Sequence, residues 1–136
     1  MSGTNNADHI RLSFPANPAY VSSARLTASS IANRIKFDID EIEDIKTAVS
    51  EACIYIIKRS AHLSQSNFEI CFMPGKGEMS VEIVASNTGC KGADSEEMSL
   101  MMIKALVDEF SITGPAENQI SINMVKKHKG RTFTAD

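Results

Sequence analysis

The chain of 136 residues contains no tryptophan, only three cysteines and no excess of basic residues. Cys53, Cys71 and Cys90 cannot all pair and show no C-x-x-C spacing, so neither a disulfide framework nor a zinc site is indicated. Reduced thiols in a cytosolic protein are the simpler interpretation. The 14 basic residues against 17 acidic ones give a net charge of −3, which disfavours a domain that binds nucleic acid directly.

Long apolar runs are also missing. No stretch approaches the roughly 20 residues that a membrane span requires, and the first residues, MSGTNNADH, lack the basic start and apolar run of a signal peptide. We therefore expect a cytoplasmic protein that does not associate with a membrane. Its length suits one domain with its own core. We expect a disordered N-terminus over 1–8, the folded domain over 9–126 and a polar C-terminal tail over 127–136.

Hydrophobic periodicity predicts five strands and three helices. Alternation of apolar and polar residues predicts strands over 10–14, 68–72, 79–85, 110–112 and 120–124. Helical spacing predicts helices from 17 to about 36, from 38 to about 60, and over 97–108. The resulting order, β-α-α-β-β-α-β-β, predicts an α+β two-layer sandwich, in which three helices cover one face of a mixed, mostly antiparallel sheet.

Several local features accompany these elements. Pro74-Gly75-Lys76-Gly77 predicts a hairpin turn, and Gly114-Pro115 predicts the turn after the fourth strand. Asp38 and Glu41 form a capping-box pattern at the start of the second helix, where the other acidic residues predict a solvated face. The methionines of the third helix are expected to pack in the core; they are Met98, Met101 and Met102.

Three separated segments resemble one protein family. They are P-A-Y-V-S-S-A-R at Pro18–Arg25, T-A-V-S-E-A-C at Thr47–Cys53 and M-I-K-A-L-V-D-E-F at Met102–Phe110. Together they resemble the bacterial anti-sigma factor serine-protein kinases of the RsbW/SpoIIAB type, which have the histidine-kinase-like ATPase fold. The resemblance runs from about residue 9 to 126, and it implies a nucleotide site built from four motifs.

The first implied motif is E-x-x-x-N on the second helix. In the family its Glu acts as a base or orients water, and its Asn ligates Mg²⁺ through an amide oxygen. Here Glu51 matches, but Tyr55 stands at the Asn position. A phenol is a poor neutral ligand for a hard cation. The alternative for Glu51 is an ordinary solvated carboxylate.

The second implied motif is D-x-G-x-G after the hairpin, where the Asp binds the adenine amino group. Asn87 replaces that Asp and keeps one acceptor oxygen. Gly89 matches the first glycine, whereas Lys91 stands at the second and Gly92 follows. A simple polar loop that binds no ligand is the alternative.

The third implied motif is a glycine-rich lid whose backbone N–H groups cradle phosphates before the third helix. Glu97 and Ser99 replace its glycines, and Ile120 replaces a supporting threonine in the last strand, the fourth motif. The resemblance therefore implies no metal-binding residue, a catalytic role for Glu51 only if the chain is active, and nucleotide contacts at Tyr55, Asn87, Gly89 and Ser99.

The resemblance implies a regulator of bacterial transcription, in stress response or sporulation, with a degraded ATP site. It implies a cytoplasmic homodimer that binds a sigma factor, a STAS-domain anti-anti-sigma protein or both, with kinase activity weak or absent. Arg25 corresponds to a partner-contacting arginine; the alternative is a surface arginine without a role. No cofactor is expected, unless the site still functions and uses ATP and magnesium.

Two other functions stay open at this point. One is an active ATP-dependent kinase that phosphorylates a serine of a STAS protein despite Tyr55 and the altered lid. The other is a sandwich domain that binds a different ligand in the former nucleotide cleft.

Overall fold

A computed structural model describes residues 8–59, 66–86, 97–116 and 119–130. The strands are β1 (Ile10–Pro15), β2 (Asn67–Pro74), β3 (Glu78–Ser86), β4 (Glu109–Ala116) and β5 (Gln119–Lys127). The helices are α1 (Val21–Ala32), α2 (Ile39–Arg59) and α3 (Glu97–Leu106), with a 3-10 turn at Pro18–Tyr20 before α1. The predicted order of elements is confirmed.

The five strands form one sheet in the order β1-β2-β3-β5-β4. Every described pairing is antiparallel, with Phe68 opposite Ala85 and Ile83 opposite Ile122. Alternate residues of the central strands point to one buried face, where α2 packs on β3 and β5 and lies between α1 and α3. The predicted α+β sandwich is confirmed.

The hairpin between β2 and β3 turns at the predicted residues. Gly75 donates its backbone N–H to the carbonyl oxygen of Glu78 at 2.7 Å. Gly77 has a φ of +70°, a conformation that costs a glycine little and other residues more. A glycine at this position therefore suits the tight turn of the hairpin.

Helix α1 ends earlier than the sequence predicts. Asn17 caps the preceding 3-10 turn by accepting from the N–H of Ala19, but the helix stops at Ala32 rather than near Lys36. The N–H of Arg34 donates to the carbonyl of Ile31, so the last turn tightens from α to 3-10 bonding. Ile35 follows this turn and is buried. Because it continues the apolar spacing of α1, the sequence predicts a helix that runs past its actual end.

The capping box of α2 is confirmed. The N–H of Asp38 donates to Glu41 Oε1 at 2.9 Å, and the N–H of Glu41 donates to Asp38 Oδ1 at 2.8 Å. Glu41 itself is buried. Its carboxylate also accepts hydrogen bonds from residues 128 and 129, which cover it.

Two predictions about the second half of the chain are wrong. Strand β4 continues through Gly114-Pro115 to Ala116, with a register shift against β5 between Thr113 and Ala116. An edge strand tolerates proline at such an irregularity. The methionines of α3 are exposed rather than buried, since Ile103 takes the inward position instead.

Within the described part of the chain, no helix combines the length and apolar character that crossing a membrane requires. Helix α2 has enough residues, but acidic and basic side chains occur along it. Residues 1–7 and 131–136, which include most of the predicted disordered terminus and tail, lie outside the described residues.

Candidate functional site

Arg25 projects from α1 towards α2, where a serine fixes it. Its Nη1 donates to Ser50 Oγ at 3.1 Å, and the hydroxyl of Ser50 donates in turn to the carbonyl oxygen of Lys46 at 2.9 Å. Ser50 is buried and Arg25 is half-buried. Because a neutral hydroxyl occupies only part of the guanidinium, further N–H donors of Arg25 are available to a carboxylate.

An open groove of about 380 Å³ lies beside this contact. Glu43 and Lys46 form an ion pair within it at 3.0 Å. Its lining includes Arg25, Glu43, Lys46, Ser50, Glu51 and Ile54. The predicted partner-contacting residue and the predicted catalytic residue therefore share one groove.

Glu51 lies on α2 next to Ser50 and contacts α3. Its Oε1 accepts a hydrogen bond from Ser99 Oγ at 3.0 Å, and both residues are half-buried. The sequence places Ser99 where a lid glycine is expected. In the structure its hydroxyl instead connects the first turn of α3 to α2.

Tyr55 lies one turn after Glu51, with only 3% of its surface exposed. The guanidinium carbon of Arg59, itself buried, lies 4.7 Å from the centre of the Tyr55 ring. This distance suits a cation–π contact. Tyr55 therefore packs as a core residue at the position where the family motif places a metal-ligating amide.

Tyr55 and Arg59 do not supply the ligands that magnesium prefers. Mg²⁺ prefers carboxylate, carbonyl and water oxygens, whereas Tyr55 offers a phenol and Arg59 adds a positive charge beside it. In the described ranges no cluster of three or more His, Cys, Asp or Glu residues is arranged to hold a metal ion.

The remaining predicted nucleotide residues are only partly described. Asn87 and Gly89, with the rest of the predicted loop including Cys90, lie outside the described residues. Ile120, at the position of the supporting threonine, is fully buried in β5. The nucleotide roles assigned to Tyr55, Asn87, Gly89 and Ser99 stay predictions.

Cys53 lies two residues after Glu51 on α2, but it does not line the groove. Its side chain is completely buried, and this burial raises the pKa of the Cys53 thiol to about 12. A thiol that stays protonated at neutral pH is a poor nucleophile. Cys53 therefore serves as a small core residue.

A family model described as "Histidine kinase-like ATPase domain" matches residues 14–124. The chain belongs to this family. The match spans the sandwich from the end of β1 into β5, so it includes α2 with Glu51 and Tyr55. The family membership that the three sequence segments predict is thus confirmed.

Similar members of the histidine kinase-like ATPase family are serine-protein kinases named RsbW. The chain is 41% identical to the Bacillus subtilis protein over 85 residues, which cover 62% of this chain and 52% of that one. It is 40% identical to the Oceanobacillus iheyensis protein over 112 residues, which cover 82% of this chain and 66% of that one. The chain thus matches about half to two-thirds of the length of these relatives.

A solved structure shows the same fold. The crystal structure of the RsbU and RsbW domains of a Mycobacterium tuberculosis protein superposes with a TM-score of 0.68 at 15% identity. The superposition covers 88% of this chain and 32% of that one. At this identity the likeness supports the architecture alone.

Sequence reasoning missed the residues that hold the charged groups in place. Ser50 stands within T-A-V-S-E-A-C next to Glu51, yet no periodicity indicates that it holds an arginine from another helix. His128 and Lys129 likewise reach Glu41 from the far end of the chain. Contacts between residues so distant in sequence carry no local signal.

Proposed function

We propose that the chain is an anti-sigma-factor-like regulator that acts by binding other proteins. Its partners are a sigma factor, a STAS-domain anti-anti-sigma protein or both, in the bacterial cytoplasm and as a homodimer. Residues 9–126 form the binding domain, and the ATP site is degraded. The names of the similar RsbW proteins support the family part of this proposal.

One observation supports the proposed loss of catalysis. Position 55 holds a buried tyrosine under the Arg59 guanidinium at 4.7 Å, where the family motif requires an oxygen ligand for magnesium. Phosphoryl transfer depends almost entirely on positioning and on the charge stabilisation that metal ions supply. A chain without this ligand is expected to transfer phosphate very slowly.

The groove supports a protein-binding role. Ser50 fixes Arg25 without neutralising it, so the guanidinium is preorganised to pair with a carboxylate of a partner. Preorganisation lowers the entropy that binding costs. Arg25 is therefore our candidate for the central partner contact.

An active kinase is the second candidate function. Glu51 is present at the position of the family base, half-buried in an open groove that a substrate hydroxyl can approach. In this alternative the chain binds magnesium and ATP, and it phosphorylates a serine of a STAS protein.

Two measurements on the purified protein separate these candidates. The first is thermal unfolding with ATP or ADP and magnesium, because a ligand at 100 times its dissociation constant adds about 2.7 kcal/mol of stability. The second is binding to individually purified sigma factors and STAS proteins of the source bacterium. We expect no nucleotide-dependent shift and binding to at least one of these proteins. Magnesium-dependent phosphorylation of a STAS serine at an ordinary kinase rate would contradict the proposal.

A further inference from the structure

Two oppositely charged side chains in the groove each form a hydrogen bond with a serine hydroxyl. Arg25 donates to Ser50 at 3.1 Å, and Glu51 accepts from Ser99 at 3.0 Å. Among the described residues neither Arg25 nor Glu51 has an ion-pair partner, although both line the same groove. The groove therefore presents one positive and one negative group that the described part of the fold does not neutralise.

The other charged pair of the groove behaves differently. Lys46 and Glu43 lie 3.0 Å apart on successive turns of α2 and neutralise each other. Because their charges are satisfied locally, they add little net attraction for a ligand. The electrostatic character of the groove thus depends on Arg25 and Glu51.

We infer that Glu51 recognises a basic side chain of the protein partner while Arg25 recognises an acidic one. The occupant is a partner segment that presents a carboxylate and an ammonium or guanidinium group close together on its surface. This inference rests on the proposed function and assigns to Glu51 a role in recognition in place of catalysis.

The charges of the groove favour this occupant over a polyphosphate. A triphosphate placed on Arg25 would meet the carboxylate of Glu51 in the same groove, and like charges repel at short range. A partner segment that carries both an acidic and a basic side chain can pair with Arg25 and with Glu51. Ile54 at the groove wall gives such a segment an apolar contact that a free ion does not use.

Binding of charge-reversed variants tests the inference. The probes are the purified sigma factors and STAS proteins used above, and the readout is the dissociation constant at low and high salt. We expect Glu51→Lys and Arg25→Glu each to weaken binding about tenfold or more. Surface ion pairs weaken with salt, so the loss should shrink as salt rises.

Matched controls carry the same charge changes elsewhere. The control substitutions are Arg11→Glu in β1 and Glu69→Lys in β2. Both residues are exposed, and they lie on the sheet face that points away from the helices. We expect both to bind within about twofold of the unmodified chain, because surface charges distant from an interface contribute little. Circular dichroism and thermal unfolding should show that all four variants are folded.

Glu51→Gln and Ser99→Ala separate charge from hydrogen bonding. The glutamine keeps an oxygen that accepts from Ser99 but loses the negative charge, so binding should weaken by about three- to tenfold. Ser99→Ala keeps the charge, and binding should stay within about twofold of that of the unmodified chain.

Three outcomes would overturn the inference. If Arg25→Glu weakens binding but both Glu51 variants bind normally, the proposed function stands and the role of Glu51 is wrong. If Glu51→Gln abolishes phosphorylation of a STAS protein without changing its binding, Glu51 is a catalytic base. If no sigma factor or STAS protein binds the unmodified chain, both the proposed function and this inference fail.

Discussion

The Nδ1 atom of His128 lies 2.8 Å from Oε1 of Glu41, which joins the end of β5 to the first turn of α2. The backbone N–H of Lys129 donates to the other carboxylate oxygen at 2.8 Å. The imidazole also meets the ring of Phe37 edge-on, with 6.3 Å between ring centres. A buried carboxylate at a helix N-terminus thus holds the residues that follow the last strand.

Stability is expected to depend on the charge of Glu41. Burial alone would raise its pKa, but hydrogen bonds from the backbone N–H groups of Lys129 and Asp38 and from His128 bring the pKa below its ordinary value of 4.5. The folded state therefore favours the ionised form. This stabilisation is fully present above the unfolded pKa and is lost as pH falls through the lower folded pKa.

Replacing Glu41 with glutamine tests this assignment. We expect Glu41→Gln to lower the free energy of unfolding by about 1–3 kcal/mol at pH 7, because hydrogen bonds to a charged group are lost. The difference from the unmodified chain should shrink as pH falls below 4.5. Urea unfolding at pH 7 and at acidic pH measures both. If Glu41→Gln lowered the free energy of unfolding by the same amount at every pH, the charge of Glu41 would not be the cause.

Glu43→Gln is the matched control for that experiment. Glu43 is exposed and pairs with Lys46 one turn further along α2. Because exposed pairs contribute about 0–1 kcal/mol, this variant should unfold nearly like the unmodified chain.

Lys126 is expected to fix the end of α3 on the sandwich. Its Nζ donates to the carbonyl oxygen of Leu106 at 2.7 Å and to Asp44 Oδ2 at 3.0 Å, and its side chain is only 12% exposed. Lys126→Met keeps the apolar stem but removes both hydrogen bonds. We expect a loss of about 1–3 kcal/mol of stability and faster amide hydrogen exchange in α3.

Lys127→Met makes the same change at the neighbouring position. Lys127 is exposed and pairs with Glu109 at the surface. We expect exchange in α3 to match that of the unmodified chain. Equal effects of the two substitutions would show that the hydrogen bonds of Lys126 do not hold the helix.

Patterns of period two and period 3.6 predicted the architecture because one face of each element is buried. The alternation in Phe68, Ile70 and Phe72 indicated a half-buried strand, and all three side chains are buried. The pattern is weaker where an element ends. Ile35 continues the apolar spacing of α1 beyond its last helical residue because the following turn also packs on the core.

The site was predictable only where a motif matched. Glu51, Tyr55 and Arg25 were found as positions in a resemblance, but their contacts were not. The hydrogen bonds from Arg25 to Ser50 and from Ser99 to Glu51 join different helices. Such pairs depend on how helices pack, which the sequence pattern of one helix does not contain.

Helix α3 shows the limit of hydrophobic spacing. Apolar residues occur around its whole circumference, so the pattern does not select an inward face. The structure buries Ile103 completely and leaves Met101 65% exposed. We expect Met101→Gln to change stability by less than about 0.5 kcal/mol, whereas Ile103→Ala should cost about 2–5 kcal/mol. Urea unfolding of both variants is the measurement, and the reverse ranking would place Met101 in the core.

Tyr55 provides the sharpest test of the proposed loss of the metal site. Its ring is buried against the guanidinium of Arg59. Tyr55→Phe keeps the ring and should change stability by less than about 1.5 kcal/mol. Tyr55→Asn restores the family residue but buries an amide and opens a cavity, so it should cost about 3 kcal/mol or more.

The stability of these two variants is measured by urea unfolding, and nucleotide binding by thermal unfolding with ATP and magnesium. We expect the asparagine variant to gain no magnesium-dependent shift, because the Arg59 guanidinium still lies beside position 55 and repels the cation. An asparagine variant as stable as the unmodified chain would show that the ring is not part of the core. A magnesium-dependent shift in that variant would show that a single substitution separates this chain from a nucleotide-binding one.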